Sequence, residues 1–444
     1  MRKFYLRLFS LCKIVIWKLS LFRPTAFIAF FIAVVFFSIS RKENVFAKGI
    51  FNKKWDLFPD SDVFNLYLGY GSFPLLYIIP HLFSHKVPSF LWIQRNRTIK
   101  AEYIPEHVNY LSTTPLSTIS MQFILNRFAK KYKALLNSNS RLMLNIYIGE
   151  EAAHLYFIYP FIKNRIPNEN ITITIIDVGN GIFNNFNELM TSKVNWDYEY
   201  KRYSKLITAL QKSYLPFIPA ICDILGSKYI ARLSIFTNTI VKNINYWLPI
   251  TSYLCEPIPE LKSVKNGMYL HDITPADVIS KMSDVDKKSS LAIFGIDKEY
   301  YDKLFCTSIK PCLIITDSTV EHNEGRFHIV GEKIVHEYRN EFNIFYKAHP
   351  TKLTAHSSIE TSKFLVKYGI ISLPVDLPIE MLVYSYPNVY IGGYKSSIYM
   401  TIIGERVKFF ITKSMKINSE AHTYSVIDDF YNKGVYKDAK IFWE

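Results

Sequence analysis

Lys347, His349 and Pro350 close the run Ile344-Phe345-Tyr346 in the stretch NIFYKAHPTK. A lysine is a compact positive charge suited to phosphate, and a histidine can give up a proton near neutral pH. Pro350 ends the strand and fixes the backbone beside His349. Ser396 and Ser397 follow VYIGGYK, where Gly392 and Gly393 allow close backbone approach. Two hydroxyls and the backbone N–H groups of a helix start make a cradle for an anion. Glu380 stands in LPIEMLVYS at the start of an expected helix, where a carboxylate can accept two hydroxyls of a ribose. Singly, each has a plain structural use as a strand end, a helix cap or a carboxylate favouring a helix dipole. Their order, Lys-x-His-Pro, then Glu, then Ser-Ser, at successive strand ends, suits the phosphate and ribose of a nucleotide.

The first half of the chain offers carboxylates. Asp177 lies in IIDVGNG at an expected strand end, before Gly179 and Gly181. A carboxylate at such a turn can act as a general base, with glycines leaving room for a substrate. Glu150, Glu151 and His154 follow the preceding strand. They either face the same cleft or supply the acidic first turn of a helix.

Short, β-branched hydrophobic runs position these residues. FNLYLGYG (64–71), SFLWIQ (89–94), RLMLNIYIG (141–149) and ITITIIDVG (171–179) are bounded by Gly, Asn or Pro and predict buried strands. EEAAHLYFIYPFIK (150–163) is helix-like at its start, so the alternation predicts βαβ units and a parallel sheet. Residues 195–290 are richer in helical patterns and close on the polar stretch SDVDKKSS (283–290). A second series follows: CLIITDSTV (312–320), FNIFYKAHP (342–350), FLVKYGIISLP (364–374), NVYIGGYKSS (388–397) and KFFITK (408–413). The expected architecture is α/β, with two Rossmann-like domains, 48–305 and 306–444, facing a central cleft. Ligands of such sheets bind beyond the carboxyl ends of the strands.

The 444 residues exceed one ordinary core. The net charge of +15 is compatible with nucleic acid, an anionic membrane surface or anionic small molecules. No zinc finger, RNP-type aromatic motif or basic zipper is present, so nucleic acid is not expected as a partner. Cys12, Cys222, Cys255, Cys306 and Cys312 form no Cys-x-x-Cys pair, which argues for free thiols rather than disulfides or a zinc site. Residues 1–47 form a basic and hydrophobic segment. PTAFIAFFIAVVFFSIS (24–40) is uncharged, and six basic residues and no acid precede it. It reads as a short membrane span, a signal peptide with VFA (45–47) as cleavage site, a segment lying on the inner membrane surface, or a buried helix of the folded domain. Membrane association is expected, with the catalytic domains cytoplasmic if no signal peptide is removed.

The combined elements resemble the bacterial sialyltransferases of the Pasteurella and Photobacterium type. That family carries two acidic residues and a glycine in its first domain, then His-Pro, then Ser-Ser. YKAHP is similar to its Phe-Lys-Gly-His-Pro, LPIEMLVYSYPNVYIGGYKSSIYM to its Glu helix and Ser-Ser strand end, and KIFWE to its Ile-Phe-Trp-Asp tail. FGIDKEYYDKLF and LIITDST are similar to its entry into the nucleotide domain. The resemblance covers about residues 290–400 and the tail. It implies a glycosyltransferase-B fold, a CMP-sialic acid donor, a cell-surface glycan acceptor, and inversion without metal or other cofactor. It implies that His349 assists the departing phosphate, that Lys347, Pro350, Ser396 and Ser397 hold the CMP, and that Glu380 holds its ribose. One position departs: Asp177-Val178-Gly179 puts Val178 where the family has its base. Either Asp177 serves through a shifted turn, or Glu150 or Glu151 does, or transfer is lost and the chain only binds a glycan or nucleotide. A transferase using another nucleotide sugar for capsule or lipopolysaccharide is the further alternative.

Overall fold

A computed structural model describes residues 11–12, 14–41, 61–70, 73–94, 99–113, 118–149, 154–176, 186, 195–215, 244–307, 309–317, 327–349, 359–412, 421–436 and 438–443. They build two parallel sheets. The first contains β1 (Val63–Tyr70), β2 (Ser89–Gln94), β3 (Val108–Thr113), β4 (Met143–Gly149), β5 (Ile171–Ile176), β6 (Ile244–Leu248) and β7 (Met268–Asp272). Its strands lie side by side as β3-β2-β1-β4-β5-β6-β7. The second contains β8 (Cys312–Thr316), β9 (Asn343–Lys347), β10 (Ile371–Leu373), β11 (Val389–Tyr394), β12 (Val407–Thr412) and β13 (Lys440–Trp443). Its order is β10-β9-β8-β11-β12-β13. All pairings are parallel. Parallel strands need crossovers, and helices supply them on both faces.

Burial explains the composition of the strands. β8 is CLIIT and buried at every position, as expected of a central strand covered on both sides. One face of the second sheet, through Leu313, Ile315 and Tyr346, packs with Phe327 and Ile334 of the helix Phe327–Tyr338 and with Phe364. The other face, through Ile314, Phe345 and Ile391, joins Leu382, Tyr399 and Ile427 in a core that continues into the first half. The expected two-Rossmann α/β architecture is therefore what the chain adopts.

Several local expectations change. FLVKYGIISLP is not one strand: the helix Ile359–Tyr368 runs through its first half, and only Ile371–Leu373 is β. Gly369, at φ +64°, ends the helix. Ile370 N donates to Leu365 O at 2.9 Å and Gly369 N to Val366 O at 3.2 Å, the paired bonds of a glycine C-terminal cap. The stretch 195–290, rich in helical patterns, contributes β6 and β7 as well. The polar stretch SDVDKKSS starts the helix Asp284–Ile293, capped where the Ser283 side chain accepts from Asp286 N. The KIFW tail forms edge strand β13.

Residues Arg23–Arg41 form one helix. Among the described residues no helix is long and apolar enough to cross a membrane. Cys12, Cys255, Cys306 and Cys312 are free thiols.

Candidate active site at the carboxyl ends of the second sheet

Strand order in the second sheet reverses between β8 and β11, leaving a crevice beyond their carboxyl ends. Register sets one row of residues across it. Lys347 of β9 stands opposite Thr316 of β8, and Thr316 opposite Gly393 of β11. Just past this row come His349, Asp317, and the pair Ser396 and Ser397. Three loops whose residues are far apart in sequence thus open at one place.

Lys347 is only 3% exposed. Its Nζ donates to Ala348 O at 2.9 Å and to Val375 O at 2.7 Å. Two of its three N–H bonds therefore bind neighbouring loops together. Burial pushes its pKa down to about 8, while the Glu380 and Asp376 carboxylates pull it back up. Between that value and the ordinary lysine pKa, the unfolded chain holds a proton that the folded chain has released, so stability from this group rises with pH. Urea unfolding should show the wild type gaining about 2 kcal/mol over Lys347→Met between pH 7 and pH 10. A pH-independent difference would mean that the amine titrates normally.

Glu380 is half-buried in the first turn of the helix Ile379–Ser385. Burial raises its pKa, and its own backbone N–H and the Lys347 ammonium pull it down. A carboxylate in the first helical turn also meets the positive end of the backbone dipole. His349 is half-buried, two residues beyond Lys347.

Ser396 and Ser397 are half-buried. Ser397 precedes the helix Ile398–Thr401, and its hydroxyl makes no capping bond. That helix is only four residues long, and Tyr399 N and Met400 N donate back to Ser396 O and Ser397 O at 3.2 and 3.0 Å. Those two N–H groups are thus engaged within the turn, so the expected anion cradle has fewer backbone donors than a longer helix start would offer. Lys395, 8% exposed, anchors the root of this turn through an ion pair with Asp428.

Support beneath the crevice comes from residues the motifs did not single out. Tyr346 O–H donates to the Asp317 carboxylate, and Asp317 N to Lys347 O at 3.0 Å. Thr316 Oγ1 donates to Gly392 O at 3.3 Å and lies 2.9 Å from the Tyr399 hydroxyl, which then acts as donor to it. The Thr-Asp closing CLIIT was the available sign of Asp317; the partners Tyr346 and Tyr399 became visible only through register. Among the described residues, no group of three or more His, Cys, Asp or Glu is arranged to hold a metal ion.

Of the first-half candidates, Asp177, Glu150 and Glu151 lie outside the described residues, as do Val178 and, in the second half, Pro350. His154 opens the helix His154–Lys163. Strands β4 and β5, which lead into Glu150 and Asp177, are direct neighbours, with Ile148 opposite Ile175. Beneath these strand ends lies a polar layer. Asn145 donates to Asn65 at 3.0 Å, Asn65 to the Tyr67 hydroxyl at 3.2 Å, and that hydroxyl lies 2.8 Å from His81 Nδ1. Burial, reinforced by His85 and Lys281, pushes the His81 pKa down to about 3. His81 is therefore a neutral imidazole near pH 7, able to accept from Tyr67.

No protein-family description matches the sequence, and no curated protein does. Solved structures do. The glycosyltransferase-B domain of a Photobacterium damselae sialyltransferase is 17% identical, with a TM-score of 0.58 over 86% of this chain and 100% of that one. An α/β-galactoside α-2,3-sialyltransferase of Photobacterium phosphoreum is 14% identical, with a TM-score of 0.59 over 86% and 98%. A Photobacterium 2,6-sialyltransferase, solved with CMP and lactose, is 16% identical, with a TM-score of 0.60 over 85% and 78%. At such identities the likeness establishes the fold, two Rossmann-like halves of the glycosyltransferase-B kind.

Proposed function

We propose that the chain is a glycosyltransferase of sialyltransferase type, moving sialic acid or a related acidic sugar from a CMP-activated donor to a cell-surface glycan with inversion. The observation that carries this reading is the strand-order reversal of the second sheet, with His349 just past β9, Ser396 and Ser397 just past β11, and Glu380 in electrostatic contact with Lys347 of β9. Phosphate and ribose are the donor parts those groups fit. The fold of the Photobacterium sialyltransferases, one of them solved with CMP and lactose, supports the choice of donor.

In this reading Ser396 and Ser397 donate to the CMP phosphate, and the Glu380 carboxyl accepts from the ribose hydroxyls. A first-half carboxylate, Asp177 in the first instance, takes the proton of the acceptor hydroxyl. The acceptor oxygen attacks the anomeric carbon as the bond from that carbon to the phosphate oxygen breaks. His349 gives a proton to the departing phosphate, so the charge developing there is neutralised. A single displacement of this kind inverts the anomeric centre.

The test is CMP release from CMP-sialic acid with and without glycan acceptors, beside calorimetry with CMP and UDP. Acceptor-dependent release and preference for CMP are expected, with Ser396→Ala and Ser397→Ala each weakening CMP binding by roughly tenfold. Preference for UDP would sink the donor assignment. Binding of CMP without release would favour a non-catalytic relative, the reading that Val178 motivates.

A further inference from the structure

We propose that residues 11–41 form a docking surface that lies flat on an anionic lipid bilayer without crossing it. Helical residues before Ser20 and the helix Arg23–Arg41 expose apolar side chains in stripes. On the long helix, Phe27, Ile28, Phe31 and Val35 are 69%, 51%, 50% and 55% exposed. Their spacing of three, four and eight residues puts them on one side of a helix. Leu11, Ile14, Val15 and Phe22 continue the exposed surface on the preceding turns. Lone exposed apolar residues are ordinary, but a contiguous set on one face marks an interaction surface.

The opposite side of the same segment is fixed to the protein body. Ile16 and Ala29 are fully buried. Ser213 Oγ donates to Ser20 Oγ at 3.1 Å, and Tyr214 N to Ser20 O at 2.8 Å. A segment held in this way would have to give up those contacts to span a bilayer. It can lie in the interface as it stands, with its outward stripe among the lipid chains.

Charge selects the occupant. Eight basic residues and no acidic one precede Glu43, and the whole chain carries +15. Lys18 and Arg23 are exposed beside the apolar stripe. Pairing of two copies through this surface would bring positive segments together, whereas anionic headgroups neutralise them while the acyl chains take Phe27 and Phe31. The surface is independent of the transferase reading and stands or falls apart from it.

Co-sedimentation of the full chain with phosphatidylglycerol/phosphatidylcholine vesicles, compared with phosphatidylcholine alone, tests the proposal. Binding to the anionic vesicles is expected, falling with salt and reduced about tenfold or more by the double variant Phe27→Glu/Phe31→Glu. The thermal unfolding midpoint of that variant checks that it is folded. Wild-type binding that is equal on neutral vesicles, or insensitive to salt, overturns the role of charge. Wild-type protein that resists alkaline carbonate extraction spans the bilayer and overturns the flat geometry. A dimer in light scattering that the double variant breaks, without vesicle binding by the wild type, assigns the face to a second copy and overturns the proposal.

Discussion

Gly393→Ala is expected to destabilise the second sheet by about 4 kcal/mol and to remove CMP binding with it. Gly393 sits at φ +148°, a backbone conformation L side chains rarely adopt. A Cβ there would stand 2.1 Å from Thr316 O and 2.4 Å from Thr316 Oγ1. The obstacle is backbone of the neighbouring central strand, so rotation of a side chain cannot relieve it. Strain of roughly 1–3 kcal/mol adds to an overpacking cost of similar size. Gly369→Ala is the matched control: it also has positive φ, +64°, but meets nothing within 4 Å. That change should cost only about 1 kcal/mol, the backbone part alone. Urea midpoints of both variants, read by circular dichroism, separate the two contributions. Equal midpoints would show that the close approach of β8 and β11 is not tight in solution.

His349→Ala is expected to reduce kcat by about 10²–10⁴-fold while leaving the CMP dissociation constant within about threefold. A proton donor to the leaving phosphate acts as that phosphate departs, so its loss falls on turnover rather than on ground-state binding. The measurement is CMP release at saturating donor and acceptor, with calorimetry for CMP. An unchanged kcat removes the acid role from His349. A large loss of CMP affinity with kcat intact would instead make it a binding residue.

The central strands were legible because a covered parallel strand is a short, largely apolar run. β2 begins and ends where SFLWIQ does, and β8 fills the first five residues of CLIITDSTV. β6 and β7 were not legible by that rule. β6, INYWL, is buried only at every second residue, and β7, MYLHD, lies at the sheet edge with little burial. In FLVKYG the β-favouring Val366 is 82% exposed on a helix, so propensity lost to the packing of Phe364 on the opposite side. The chemistry-bearing residues of the second half could be named from strand ends, because an α/β sheet gathers its strand ends at one edge. What Lys347 does there could not be named, since its partner Val375 O is brought near by the short strand β10 rather than by sequence.

That lysine has a consequence for binding cost. Its amine joins the residue before His349 to the segment that leads into the Glu380 helix. The groups assigned to the leaving phosphate and to the ribose are therefore linked through one buried side chain. Loops linked before a ligand arrives lose less conformational freedom when it does, so more of the contact energy appears as affinity.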